Sequence, residues 1–153
     1  MTFESTEAII RYAIERENDA ARIYREAARS DQWAGSREVF AEFAEEEERH
    51  AAMLEDLLEG REQLAEYRYE WIPDLKRSDT MVEVKYEPGM DYADILRLAM
   101  KMEERALKLY NDLLAGAEAE GQKRVFKMLC QEEARHKLAL ETLYDDFMAE
   151  QGD

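Results

Sequence analysis

The chain has 153 residues, 46% of them hydrophobic and 38% charged, with a net charge of −16. That length suits one domain with a sizeable core, and the charge excludes a nucleic-acid partner and disfavours an anionic membrane surface, since no basic cluster offsets it. Two prolines and six glycines are few and favour long helices, while the single cysteine, Cys130, excludes an internal disulfide and any Cys-x-x-Cys knuckle and fits a reducing, cytoplasmic setting.

In chain order, the opening "MTFESTEAII" has no basic region followed by a long apolar run, so no signal peptide is expected. Nor does any stretch approach the roughly 18 apolar residues of a membrane span. The first helical stripe is Ile10, Ala13, Ile14, Ala20, Tyr24 and Ala27, with steps of three and four dominating. The stretch "DQWAGS" (31–36) then breaks the pattern, with Gly35 for flexibility, Ser36 as an N-cap and Trp33 placed to cover the bundle end. The second stripe is Phe40, Phe43, Leu54 and Leu57, and Gly60 suits a helix end. Residues 61–91 carry both prolines, three tyrosines and a tryptophan. They read as a long crossover with a short helical start, too aromatic for a free linker, packing along the bundle or against a second subunit. A third stripe follows at Leu96, Ala99, Met100, Ala106, Tyr110 and Leu113. After "AGAEAEG" (115–121) comes a fourth, at Phe126, Leu129, Leu140, Leu143 and Phe147.

The chain repeats itself. A gapless shift of 86 residues lays Ile9 on Ile95, Arg11 on Arg97, Glu17 on Glu103, Ala20 on Ala106 and Tyr24 on Tyr110. The same shift lays Gly35 on Gly121, Phe40 on Phe126, and Glu46, Glu47, Arg49 and His50 on Glu132, Glu133, Arg135 and His136. Two similar hairpins, 5–60 and 92–149, joined by the crossover 61–91 make one domain over 1–153. The expected fold is all-α, an antiparallel four-helix bundle.

Ionisable residues interrupt the apolar stripes. Glu17 sits between Ala13 and Ala20, and Glu103 between Ala99 and Ala106. Glu47 and His50 lie in line with Phe43 and Leu54, and Glu133 and His136 with Leu129 and Leu140. Six such groups facing a core are costly, and four carboxylates would also repel one another, so something positive must sit among them. Depth agrees. The midpoints of Glu17–Glu47 and Glu103–Glu133 fall at residues 32 and 118, inside the two turns. Each pair is then level across its hairpin, about 22 Å from the turn at 1.5 Å per residue. Residues three apart share a helix face, so a Glu and a His can reach one metal. Two such pairs and two further carboxylates supply two metals, with carboxylates free to bridge. Oxygen and imidazole donors without thiolate suit iron or manganese, and zinc could occupy them.

A single Glu-x-x-His in so acidic a chain would mean little; the joint occurrence carries the reading. The plainer readings are a metal-free bundle with a satisfied polar layer, or a scaffold whose site only stabilises the fold. Glu46, Glu48 and Glu132 read as solvated surface, and Glu45–Arg49 as an ordinary i,i+4 pair. Tyr24 and Tyr110 lie two turns beyond their glutamates and read either as core packing or as hydrogen-bond partners or redox neighbours of a ligand. Cys130 reads as a small buried residue, not a ligand.

At these residues the chain resembles the ferritin-like superfamily, in particular the di-iron domain of rubrerythrins and their stand-alone relatives. The resemblance spans roughly 5–60 and 92–149. The pattern Glu-x-x-Ala-x-x-x-Tyr at 17–24 and 103–110 is rubrerythrin-like in its first copy. What the resemblance implies is two iron ions held by Glu17, Glu47, His50, Glu103, Glu133 and His136. It also implies chemistry with hydrogen peroxide or dioxygen, often in a homodimer. Two departures qualify it. There is no four-cysteine rubredoxin module, so electrons must come from an external donor. Ala106 stands where rubrerythrins carry an extra glutamate, which makes the site more symmetric, like that of bacterioferritins. That departure favours ferroxidase or iron handling over peroxide reduction, with iron storage in a cage as the alternative to an oxidoreductase.

Overall fold

The computed structural model describes residues 5–29, 35–61, 67–81 and 83–151. The expected cover by Trp33 and the short helical start of the crossover fall outside them. Four long helices make up the bundle: α1 (Thr6–Ala28), α2 (Arg37–Leu58), α3 (Tyr92–Gly116) and α4 (Glu120–Gln151). No strand occurs among the described residues.

Local chemistry sets several ends. Ser5 caps α1, its Oγ accepting from the Ala8 amide at 3.1 Å. After α2, Gly60 takes φ +71°, a left-handed conformation that glycine adopts without Cβ strain. Ser36 does precede α2, but its side chain makes no cap bond. Its hydroxyl instead shares a 2.5 Å hydrogen bond with Tyr92 Oη at the start of α3. That bond ties the two hairpins together at one end.

The stripes pack into two apolar clusters. One holds Ala20, Tyr24 and Ala27 with Phe40, Phe43, Ala44, Leu96, Ala99, Met100 and Leu140. The other holds Ile10 and Ala13 with Leu54, Leu57, Tyr110, Leu113, Val125, Phe126 and Leu129. The start of α1 thus meets the end of α2, and the start of α3 meets the end of α4, so both hairpins are antiparallel. Phe40 and Phe126, equivalent under the 86-residue shift, are both fully buried in opposite clusters. Between the clusters, each helix contributes its glutamate or Glu-x-x-His pair.

The helices pair closely within each hairpin, whereas α1 and α3 meet along much less of their length. The crossover lies on the same chain's α4, one of the two placements open from the sequence. Gln131 Oε1 accepts from the Glu70 amide at 2.8 Å, and its Nε2 donates to the Arg68 carbonyl at 3.0 Å. Glu141, fully buried, accepts the amides of Leu75 (3.3 Å) and Arg77 (2.9 Å) beside a 3₁₀ turn, Arg77–Thr80. Lys137 Nζ, also buried, reaches Asp74 at 2.5 Å and Glu141 at 3.5 Å. Farther on, Tyr86 donates to Glu26 on α1.

Buried ion pairs that are broken on one side cost several kcal/mol. Glu141→Ala leaves two backbone donors and Lys137 short of a partner and is expected to destabilise by about 3 kcal/mol. Urea denaturation would measure this, and limited proteolysis would report earlier cleavage within 67–81. Unchanged stability would refute the clasp.

Candidate metal centre

Glu17, Glu47, His50, Glu103, Glu133 and His136 are each at most 3% exposed. Their donor atoms form two groups, Glu17–Glu47–His50–Glu133 and Glu47–Glu103–Glu133–His136, with the atoms of each group within 4.8 Å of one another. Glu47 and Glu133 belong to both groups. All six residues singled out from the sequence are therefore brought together, with Glu47 and Glu133 shared between the groups.

The distances follow the repeat. His50 Nδ1 lies 2.7 Å from Glu133 Oε1, and His136 Nδ1 lies 2.8 Å from Glu47 Oε1. Glu17 Oε2 is 3.6 Å from His50 Nδ1, and Glu103 Oε1 is 3.5 Å from His136 Nδ1. The two imidazoles stack at 6.0 Å between centroids, and Phe43 lies against His136 at 4.1 Å.

The tyrosines act across the bundle. Tyr24 Oη donates to Glu103 Oε1 at 2.7 Å, and Tyr110 Oη donates to Glu17 Oε1 at 2.5 Å. The two bonds are equivalent under the shift. Each pins one oxygen of a glutamate and leaves the other without a hydrogen-bond partner, Glu103 Oε2 and Glu17 Oε2. Glu47 Oε1, both Glu133 oxygens and both histidine Nδ1 atoms also lack one. Seven orphaned buried donor atoms aimed at a common layer are what two cations would satisfy. The donor set of oxygens and imidazole nitrogens fits iron or manganese.

The ionisation of the metal-free layer points the same way. Burial raises Glu47 and Glu133 well above the ordinary carboxylate value, and neighbouring carboxylates add to it. Burial would lower His136, but the Glu103 and Glu46 carboxylates beside it outweigh this and raise it to about 10. His50 is also raised, burial being overcome mainly by Glu17. Burial would raise Glu17, yet the neighbouring Glu47 and His50 and the Tyr110 hydrogen bond hold it below the ordinary value. Burial raises Tyr24 and Tyr110 well above the phenolic value, so both remain donors.

Sequence reasoning missed one partner. Glu46 is not solvated surface: it is half-buried and accepts from His136 Nε2, which leaves Nδ1 to face the carboxylates. That bond holds its carboxyl below the usual range, burial opposing. The counterpart Glu132 is also half-buried, but it accepts from Tyr67 Oη of the crossover at 2.8 Å. The spacing did carry a signal, since Glu46 and Glu132 match under the shift, but a surface glutamate has the same spacing. Glu48 is exposed and pairs with Arg25 at 2.7 Å. Arg49 lies 4.0 Å from Glu46, a third-residue pair in place of the expected partner Glu45. Cys130 is half-buried rather than buried, 3.6 Å from Asn111 Oδ1, and burial pushes its thiol up to about 11. It belongs to neither donor group.

A cleft of about 860 Å³ opens between α1 and α3, and Glu17, Glu47, Glu103 and Glu133 line it. Tyr12 and Tyr86 flank it, and Ala20 and Ala106 stand one turn from Glu17 and Glu103.

The Rubrerythrin family model matches residues 8–144. The chain belongs to the rubrerythrin family. Its fold is similar to that of a hypothetical protein from Pyrococcus furiosus, with a TM-score of 0.71 and 28% identity, covering 93% of this chain and 89% of that one. No curated protein matches the chain. Rubrerythrins are di-iron ferritin-like proteins, and the buried carboxylate and histidine cluster is where such a chain would hold its metals. Among the described residues no helix is long and apolar enough to cross a membrane.

The proton balance gives a testable sign. His136, His50, Glu47 and Glu133 hold protons more tightly folded than unfolded. Their contribution to stability is complete below the unfolded values and is lost as pH rises through the folded ones. For His136 that window runs from an unfolded value of about 6.5 to about 10. The Tm of metal-free protein is therefore expected to fall between these values in scanning calorimetry. Zn(II) must displace those protons, so its affinity is expected to rise over the same range, with proton release visible in buffers of different ionisation enthalpy. A metal-free Tm that climbs, or binding without proton release, would contradict this.

Proposed function

We propose that the protein is a rubrerythrin-type di-iron oxidoreductase that reduces hydrogen peroxide or dioxygen with electrons from an external donor, working as a homodimer in the cytoplasm. The observation that carries the reading is the pair of buried donor groups sharing Glu47 and Glu133. Bound iron would supply the redox chemistry, which no side chain of this layer supplies alone. Glu17 and His50 would hold one ion, Glu103 and His136 the other, with Glu47 and Glu133 between them.

The rest is the work of this chain's own residues. Tyr110 and Tyr24 hold Glu17 and Glu103 by one oxygen each and keep their protons at Oη. Glu46 holds the His136 ring by Nε2. The two apolar clusters keep bulk water from the layer at both ends. The cleft between α1 and α3 is the approach for a small oxidant.

A second reading, ferroxidase entry to iron storage, is favoured by the symmetry of the site. Both alanines, Ala20 and Ala106, stand where a seventh carboxylate would break it. Assembly size separates the two: a dimer fits the oxidoreductase, a large hollow assembly the store.

Glu47→Ala and Glu133→Ala are each expected to abolish paired iron binding, measured as Fe(II) per chain. Wild-type loading in both would sink the assignment. Stopped-flow oxidation of anaerobically loaded protein then selects the oxidant. Faster reaction with hydrogen peroxide supports the peroxidase, and equal or faster reaction with dioxygen supports the ferroxidase.

Tyr24→Phe and Tyr110→Phe remove equivalent bonds to buried carboxylates. Each is expected to cost about 2 kcal/mol, and the two costs should match, as read by chemical denaturation of metal-free protein. A cost in only one would mean the hairpins are not energetically equivalent.

A further inference from the structure

The cleft between α1 and α3 is larger than peroxide or dioxygen requires. Each of those molecules has two heavy atoms, whereas about 860 Å³ lies within the roughly 300–1,000 Å³ of pockets that hold drug-sized ligands. Its walls are mainly apolar: Ile23, Leu98, Met102 and Leu109 face across it, with Val84 from the crossover. Ala20 and Ala106 make the space next to the metal layer. Each lies three residues beyond its glutamate, on the same helix face. A long side chain at either position would stand over the carboxylates.

The rim is of opposite character to the rest of the protein. The chain carries −16 overall, yet Arg16, Arg22, Lys85, Arg105 and Lys108 line this cleft, against Asp19 and Asp112. Asp19 is shared between Arg16 (2.7 Å) and Arg22 (3.1 Å). Lys108 reaches Asp112 at 3.2 Å, and Arg105 pairs with Glu83. Five cations therefore face three carboxylates, and all five belong to exposed residues.

We propose that the cleft binds an organic anion with an unbranched apolar body. Its charged head sits among the rim cations and its tail passes between Ala20 and Ala106 toward Glu17 and Glu103. The inference rests on the dimetal reading in one respect: two divalent ions would cancel the charge of the four carboxylates on the floor, leaving the rim to set the sign of the ligand. A neutral or cationic amphiphile of the same length would meet the same walls and the wrong rim.

The test uses the full chain, metal-free and loaded with Zn(II), in calorimetric titrations with decanoate, decyltrimethylammonium and acetate. Decanoate is expected to saturate at one per chain of Zn(II)-loaded protein, with decyltrimethylammonium about tenfold weaker or worse and acetate silent. Ala106→Phe should plug the cleft and weaken decanoate about tenfold or more. The exposed double variant Arg16→Glu, Arg105→Glu should do the same for decanoate and strengthen the cationic probe. It keeps the test decisive if the plug disturbs folding. Equal affinity for both amphiphiles, or decanoate binding unchanged in both variants, overturns the proposal. So does a full load of two Zn(II) per chain with no decanoate binding, as when a second copy of the chain covers the cleft; the dimetal reading then stands. Decanoate bound to protein that takes up no metal overturns the dimetal reading and leaves the anion site in place.

Discussion

Four carboxylates and two imidazoles in one solvent-excluded layer are the constraint on which the rest of this structure depends. Separated from water, such groups repel one another and resist ionisation. The raised Glu47 and Glu133 express that resistance as retained protons, whereas the raised His136 keeps a positive charge among the carboxylates. The two apolar clusters on either side supply the burial that holds the helices together against this cost. That cost falls in the middle of the bundle, on the groups that could hold a metal ion.

The hydrogen bonds around the layer divide its oxygens by task. A tyrosine from the opposite hairpin holds one oxygen of Glu17 or Glu103, and the other oxygen stays open. Neither oxygen of Glu133 accepts a hydrogen bond from a tyrosine; its Oε1 lies 2.7 Å from His50 Nδ1. Glu17 and Glu103 are thus each held through one oxygen by a tyrosine, whereas Glu133 is not. Because each tyrosine reaches across from the other hairpin, neither half builds a competent site alone.

The crossover breaks the two-fold repeat. Its Tyr67 takes up Glu132, whereas the counterpart Glu46 turns to His136. The same segment is held to α4 by Gln131 and Glu141, which satisfy the backbone of an irregular strap, and by Lys137, which pairs with the Asp74 side chain. Segment 84–86 then reaches α1 and borders the cleft. One connection thus differentiates two similar donor groups and borders the cleft beside them.

The sequence by itself determined the four helices, their pairing and the six donor residues. Apolar steps of three and four locate helix faces, and a gapless shift of 86 residues doubles each observation. Interior ionisable groups stand out against apolar stripes, so Glu17 and His50 were legible where a surface pair would not be. Tertiary structure alone decided what the polar faces do. Glu46 and Glu48 look alike in sequence, yet one meets His136 and the other Arg25. The seat of the crossover on α4 was equally hidden, because Gln131, Lys137 and Glu141 carry no apolar period to announce burial. The cleft depends on how far α1 stands from α3, a distance set by packing across hairpins and the strap between them rather than by any local preference.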